Sequence, residues 1–90
     1  MAIGSIGATV CAIATPAAVG GISVVRISGE NAFAVAETVF KPVSGKKVAE
    51  MRGYTAAYGK ICDGEERLDD GVLLVFKAPH SYTGEDVCEI

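Results

Sequence analysis

Every long apolar run in this chain is cut short by proline or glycine. TVCAIA (Thr9 to Ala14), ISVVRI (Ile22 to Ile27) and GVLLVF (Gly71 to Phe76) are six residues each, and they stop at Thr15-Pro16, Ser28-Gly29 and Ala78-Pro79. Proline cannot donate to a ladder and drives the residue before it to extended geometry, and glycine frees the backbone to turn. Runs of this length, rich in β-branched residues, predict short strands. They fall well below the roughly 20 apolar residues that a membrane-spanning helix needs. Thr9 to Ala14 reads as a buried strand. Ile22 to Ile27 reads as a strand covered on both faces, with Arg26 the exception.

A different period appears after the second run. Ala32, Val35, Ala36, Val39 and Phe40 recur at spacings of three and four, which is one apolar stripe of a helix. Ser28 is placed to cap its free N–H groups, Glu30 to sit in its first turn, and Lys41-Pro42 to end it. Val43 to Arg52 reads as a basic connector and Tyr54 to Cys62 as a third strand. Asp63-Gly64 is a turn signal; Glu65 and Glu66 start strands poorly, so a turn longer than two residues is expected. Val87 to Ile90 begins a further extended or helical element. The order strand, strand, helix, strand, strand indicates an α+β class, a small mixed β-sheet with one main helix.

Composition narrows the chemistry. Ninety residues make one small domain at most, and a chain of this size has a thin stability margin. Half the residues are hydrophobic, which suffices for a core. The net charge of −3 gives no sign of a broad basic face for nucleic acid. Basic residues thicken between Lys41 and Lys60, and Asp63, Glu65, Glu66, Asp69 and Asp70 form an acidic stretch; both read as solvated loop. The N-terminus to Ala14 is apolar without Lys or Arg, so it lacks the positive region of a secretory signal, and a soluble, cytoplasmic protein is expected. Cys11, Cys62 and Cys88 are odd in number and form no C-x-x-C pair, which argues against a disulfide framework or a zinc ribbon. Cys11 and Cys62 read as buried small hydrophobes. A Cys-His pair would have to use His80, the one histidine. Neither G-x-x-x-x-G-K-[ST], G-x-G-x-x-G nor G-x-S-x-G occurs, so nothing here marks a nucleotide hydrolase or a nucleophile elbow.

Three features remain as candidates. Arg26 inside an apolar strand needs a partner. It is either an arginine at a strand end paired with a nearby carboxylate, or a guanidinium fork presented to a planar anion. Ser81 to Asp86, after Pro79-His80, is either a plain capped loop, with Thr83 or Asp86 capping a helix, or the edge of a ligand site. Glu89, in an apolar stretch, needs a donor, which Arg26 or an N–H-rich heterocycle would supply.

Ala12 to Gly29 (AIATPAAVGGISVVRISG) and Pro79 to Glu89 (PHSYTGEDVCE) together resemble the opening of the MnmE/TrmE family of tRNA modification GTPases. There, T-P and a Gly-rich turn lead into G-I-x-V-x-R-[IL]-S-G, and a second pattern is close to S-[FY]-T-G-E-D-x-x-E. The resemblance runs through essentially all of residues 1–90. It implies the front of an N-terminal domain similar to the folate-binding module of glycine-cleavage T proteins, with the helical domain and the G domain lying outside this chain. It also implies homodimerisation through this domain and binding of a 5-formyl-tetrahydrofolate-type one-carbon donor. An FAD-dependent partner protein and tRNA would join the full complex, for aminomethyl-type modification of the wobble uridine. GTP, Mg2+ and K+ would be bound only in the G domain, and no activity is expected of residues 1–90 alone. Carried over onto matching positions, the resemblance assigns folate contacts to Arg26 and Glu89. Ala17-Ala18-Val19 stands where the family's turn usually has more glycine. Two other readings are a cofactor-free α+β interaction module and a folate-dependent aminomethyltransferase-like domain.

Overall fold

A computed structural model describes residues 8–15, 21–81 and 83–90. Six strands form one sheet in the order β1-β2-β6-β5-β4-β3, with one α-helix on one face. The strands are β1 (Val10–Ile13), β2 (Val25–Ser28), β3 (Phe40–Pro42), β4 (Thr55–Asp63), β5 (Glu66–Phe76) and β6 (Val87–Glu89); α1 spans Ala32–Val39. The α+β class and the single main helix are those the sequence indicated. The pairings are antiparallel throughout, so the sheet is not mixed in strand direction.

The helix stripe points where its period predicts only in part. Ala32 and Ala36 are fully buried, and so is Phe40 just past the helix, whereas Val35 is exposed. These residues close on Ile27, Leu73, Val75 and Cys88 from the sheet and on Val48 and Met51 from the connector, and together they make the core. Cross-strand register explains the set: Ile27 faces Cys88, and Cys88 faces Val75, so one row of three adjacent strands points at the helix. The connector is therefore part of the core, through the short 3-10 turn Val48–Glu50. Phe40 lies against Gly59, where a Cβ would stand 2.6 Å from the ring and 2.4 Å from the Lys41 carbonyl. That position admits only glycine without displacement of the strand beside it.

Several local expectations are corrected. Ser28 does not cap α1. It ends β2, and Asn31 occupies the cap position without a side-chain hydrogen bond. The β4–β5 hairpin turns tightly, because Asp63 pairs directly with Glu66, and a register shift at Ile61/Cys62 absorbs the irregularity near the turn. Glu66 to Asp70 extend β5 despite their charge, since the outer half of a hairpin is open to water and packing does not oppose them. No helix follows the Ser81 to Asp86 loop; Val87 opens strand β6, fully buried and extended. β1 lies at the sheet edge, with Cys11, Ala12 and Ile13 exposed, so it is not the buried strand its composition suggested. Val25 and Ile22 are likewise exposed. Helix α1 covers Ile27 of β2 but leaves Val25 and Ile22 open. Ala17-Ala18-Val19 lies outside the described residues.

Candidate functional site

Arg26 and Glu89 are directly opposite each other on β2 and β6, the second and third strands of the order. Arg26 donates from Nε to Glu89 Oε2 at 2.8 Å and from Nη2 to the same oxygen at 2.5 Å. No described residue donates to the other oxygen, Oε1. The Arg26 side chain is 37% exposed and that of Glu89 11%. The carboxylate is thus held inside the sheet surface by a guanidinium that reaches water. A charge this deep requires its partner, and the strand pairing fixes both ends of the contact.

The pair sits in a cross-strand row. Ala12, Arg26, Glu89, Leu74 and Ala56 are successive partners across β1, β2, β6, β5 and β4, on the face away from α1. Ala12, Leu74 and Ala56 are exposed, so the ion pair is the polar centre of an open, apolar surface. The next row, Val10, Ser28, Val87 and Phe76, is covered more fully, with Ser28 and Val87 buried. The loop after Pro79 accounts for that cover at Ser28, where Ser28 Oγ and Thr83 Oγ1 share a hydrogen bond of 2.7 Å. Asp86 ties both ends of this loop. Its Oδ1 accepts from Ala78 N at 2.9 Å and its carbonyl from Gly29 N at 2.9 Å. Tyr54 holds the loop from the side, donating its hydroxyl to the His80 carbonyl at 2.6 Å.

The two sequence motifs are therefore in contact. R-I-S-G supplies Arg26, Ser28 and the Gly29 amide; the second motif supplies Thr83, Asp86 and Glu89, each bonded to the first. Gly29 has φ +140, and a Cβ there would stand 2.5 Å from the Thr9 Cα, so β1 can close on β2 only over glycine. Sequence reasoning named Arg26 as a partner for Glu89 but missed the links from Ser28 and Asp86. Their signal lay in the motifs themselves, as polar residues flanking an apolar strand. A hollow of about 920 Å³ opens between Gly21 to Val25 and Asp69 to Val72, bounded also by Val35 and Val39 of α1, with Glu89 and Ile90 in its wall. Of the pair, Glu89 lines it and Arg26 does not.

The cysteines do not form a catalytic centre. Cys88 is buried in the core, and burial, helped by the Asp86 charge, pushes its thiol up to about 12. Such a thiol is no nucleophile at neutral pH. Cys11 is exposed and Cys62 half-buried, which corrects the expectation that both are buried. His80 lies exposed on the loop, and no hydrogen bond joins it to a cysteine among the described residues. Among those residues there is no His/Cys/carboxylate group able to hold a metal, and no helix is long and apolar enough to cross a membrane.

A six-stranded antiparallel sheet with one helix, in which the two motifs meet around the Arg26–Glu89 pair, defines a small α+β domain. Residues 9–90 match the protein family described as GTP-binding protein TrmE N-terminus, and the chain belongs to that family. It is 51% identical over 82 residues to the tRNA modification GTPase MnmE of Clostridioides difficile, covering 91% of this chain and 18% of the relative. It is 48% identical over 84 residues to the MnmE of Chlorobaculum tepidum, covering 92% of this chain and 18% of that protein. The chain thus spans about a fifth of the length of these curated relatives.

Proposed function

We propose that this domain binds a folate one-carbon carrier of the 5-formyl-tetrahydrofolate type, with Glu89 as the pterin acceptor and Arg26 as the residue that holds it. The observation that carries this reading is the geometry at Glu89. The two bonds from Arg26 to Glu89 converge on Oε2, and Oε1 would accept from a ligand at the wall of the hollow. A pterin's amino and ring N–H groups are donors suited to such a carboxylate. The apolar row around the pair supplies flat surface for the ring. In the whole protein the domain would serve GTP-driven modification of the tRNA wobble uridine. It would do so as a cytoplasmic homodimer with an FAD-dependent partner, with GTP, Mg2+ and K+ held in the G domain.

Calorimetric titration of the full-length protein with 5-formyl-tetrahydrofolate tests the reading. Binding by wild type is expected, with Glu89→Ala and Arg26→Ala each weakening it by about 2–5 kcal/mol, the cost of removing one partner of a desolvated charged contact. A folded full-length protein that takes up no folate sinks it. A second reading, a cofactor-free module that assembles with its own kind, is favoured by the exposed apolar residues at one end of the sheet: Ile13 is 69% and Ile22 79% exposed. Sedimentation with and without folate separates the two.

A further inference from the structure

We propose that the hollow between the end of α1, β3 and the 3-10 turn seats backbone phosphates of an RNA. The hollow has a volume of about 300 Å³ and is lined by Glu37, Phe40, Lys41, Lys46, Lys47 and Val48 among others. Its position follows from the sequence. Residues 41–60 hold five of the chain's eight basic residues, Lys41, Lys46, Lys47, Arg52 and Lys60, against one carboxylate, Glu50. The rest of the chain is strongly acidic, so the weak net charge conceals a segregated cationic region. Residues 43–47 are exposed turn and coil, as the sequence indicated, and are held on either side by Phe40 and Val48, which are buried in the core.

The carboxylates in the hollow's neighbourhood form no ion pair with its lysines. Glu37 Oε1 accepts from Ala49 N at 3.3 Å and Glu50 Oε1 from Lys47 N at 3.1 Å, so both are engaged by backbone amides of the connector. Ion pairs among the described residues join Arg26 with Glu89 and Arg67 with Asp70, and none involves Lys41, Lys46 or Lys47. Lys41 also stands directly opposite Lys60, which has Asp70 on its other side; Lys41 has no such carboxylate across from it. Its ammonium instead donates to the Glu37 carbonyl at 3.2 Å, at the C-terminal end of α1, which fixes it on the rim. Gly45, with φ +78, lines the hollow beside Lys46, and nothing stands within 4 Å of where its Cβ would be.

Exposed, hydrated ammonium groups around a shallow hollow suit a polyanion bound by counterion release. The lining offers no exposed aromatic face to stack a base, so the contact is to phosphate and carries no sequence preference. The choice of RNA rests on the proposed role of the whole protein in tRNA modification. The test is therefore built to separate the two. Binding of an unmodified tRNA transcript to the full-length protein is measured over a series of KCl concentrations, for wild type, for Lys41→Glu/Lys46→Glu/Lys47→Glu, and for Lys46→Gln/Lys47→Gln, which spares the Lys41 bond. The triple variant is expected to lose roughly tenfold or more in affinity at about 100 mM KCl, and to lower the log–log salt slope by about 2. The neutral double variant should lose less, in the same direction. Lys77→Glu, a reversal outside the hollow, should change neither. Equal affinity and slope in wild type and in both cluster variants overturns the inference and leaves the tRNA role standing, and so does an equal loss per charge in Lys77→Glu. No tRNA binding by wild type overturns both.

Discussion

The two ends of the sheet are built differently. At the β3–β4–β5 end, consecutive segments pair with their neighbours in sequence, and α1 and the connector cover one face with Phe40, Val48, Leu73 and Val75 fully buried. At the β1–β2 end the helix covers Ile27 but Ile13 and Val25 face water, and pairing to the rest depends on β6, more than sixty residues after Arg26 in sequence. The candidate site lies where this end joins the rest, at the seam of β2 and β6. The contrast teaches a division of labour. One end holds the fold together by local contacts, and the other leaves apolar surface open to water.

The largest effects should separate these ends. Phe40→Ala removes a fully buried ring and should cost about 3–5 kcal/mol in chemical denaturation, whereas Ile13→Ala should stay within about 0.5 kcal/mol. Comparable losses would break the comparison. Gly59→Ala should cost about 1–3 kcal/mol, because its Cβ would meet the Lys41 carbonyl at 2.4 Å and strand β3 would have to move. A variant as stable as wild type would show that β3 is looser than drawn. Arg26→Ala should cost about 1–2 kcal/mol of stability. That is less than a fully buried pair, because its side chain is 37% exposed, and more than a surface pair, because Glu89 is left without its guanidinium. Glu89→Gln combined with Arg26→Ala should recover part of this loss, and thermal unfolding of the single and double variants would measure the coupling.

The smallest effect concerns pH at the outer part of the hairpin. The Tyr58 hydroxyl and then the Arg67 guanidinium hold the Asp70 carboxyl below its usual range. A group depressed in the folded state stabilises it above the unfolded value and loses that contribution as pH falls through the folded one. Stability should therefore decline slightly in acid below the ordinary carboxylate range, and Asp70→Asn should flatten that decline. Arg67 and Tyr58 are exposed and Asp70 is half-exposed, so the effect is expected to be small. An unchanged acid limb in Asp70→Asn would remove this cluster from the account.

What the sequence revealed divides along the same lines. The helix stripe, the strand at Gly71 to Phe76 and the need of Arg26 for a carboxylate were legible because each follows from a local pattern or a single unpayable charge. Ser28 was misread as a cap because a serine before a helix looks the same whether its hydroxyl turns to the helix or to Thr83, and only the later loop decides. β1 was misread as buried because apolar composition records a need for cover without saying which chain provides it. The strand order was beyond local reading, since β6 enters between β2 and β5 by pairing at long range. Arg26 and Glu89 were both identified, but their juxtaposition was one of two open options until the register set them face to face.

The central place of β6 has a consequence for biosynthesis. While a ribosome is still extending the chain, β1–β2 and β3–β4–β5 can each zip locally, yet no strand joins them until Val87–Glu89 has cleared the exit tunnel. The nascent domain therefore passes through a stage in which Arg26 is already on a formed hairpin and its carboxylate has not yet been translated. The ion pair at the candidate site is thus also a latch, closed only when β6 joins the two halves.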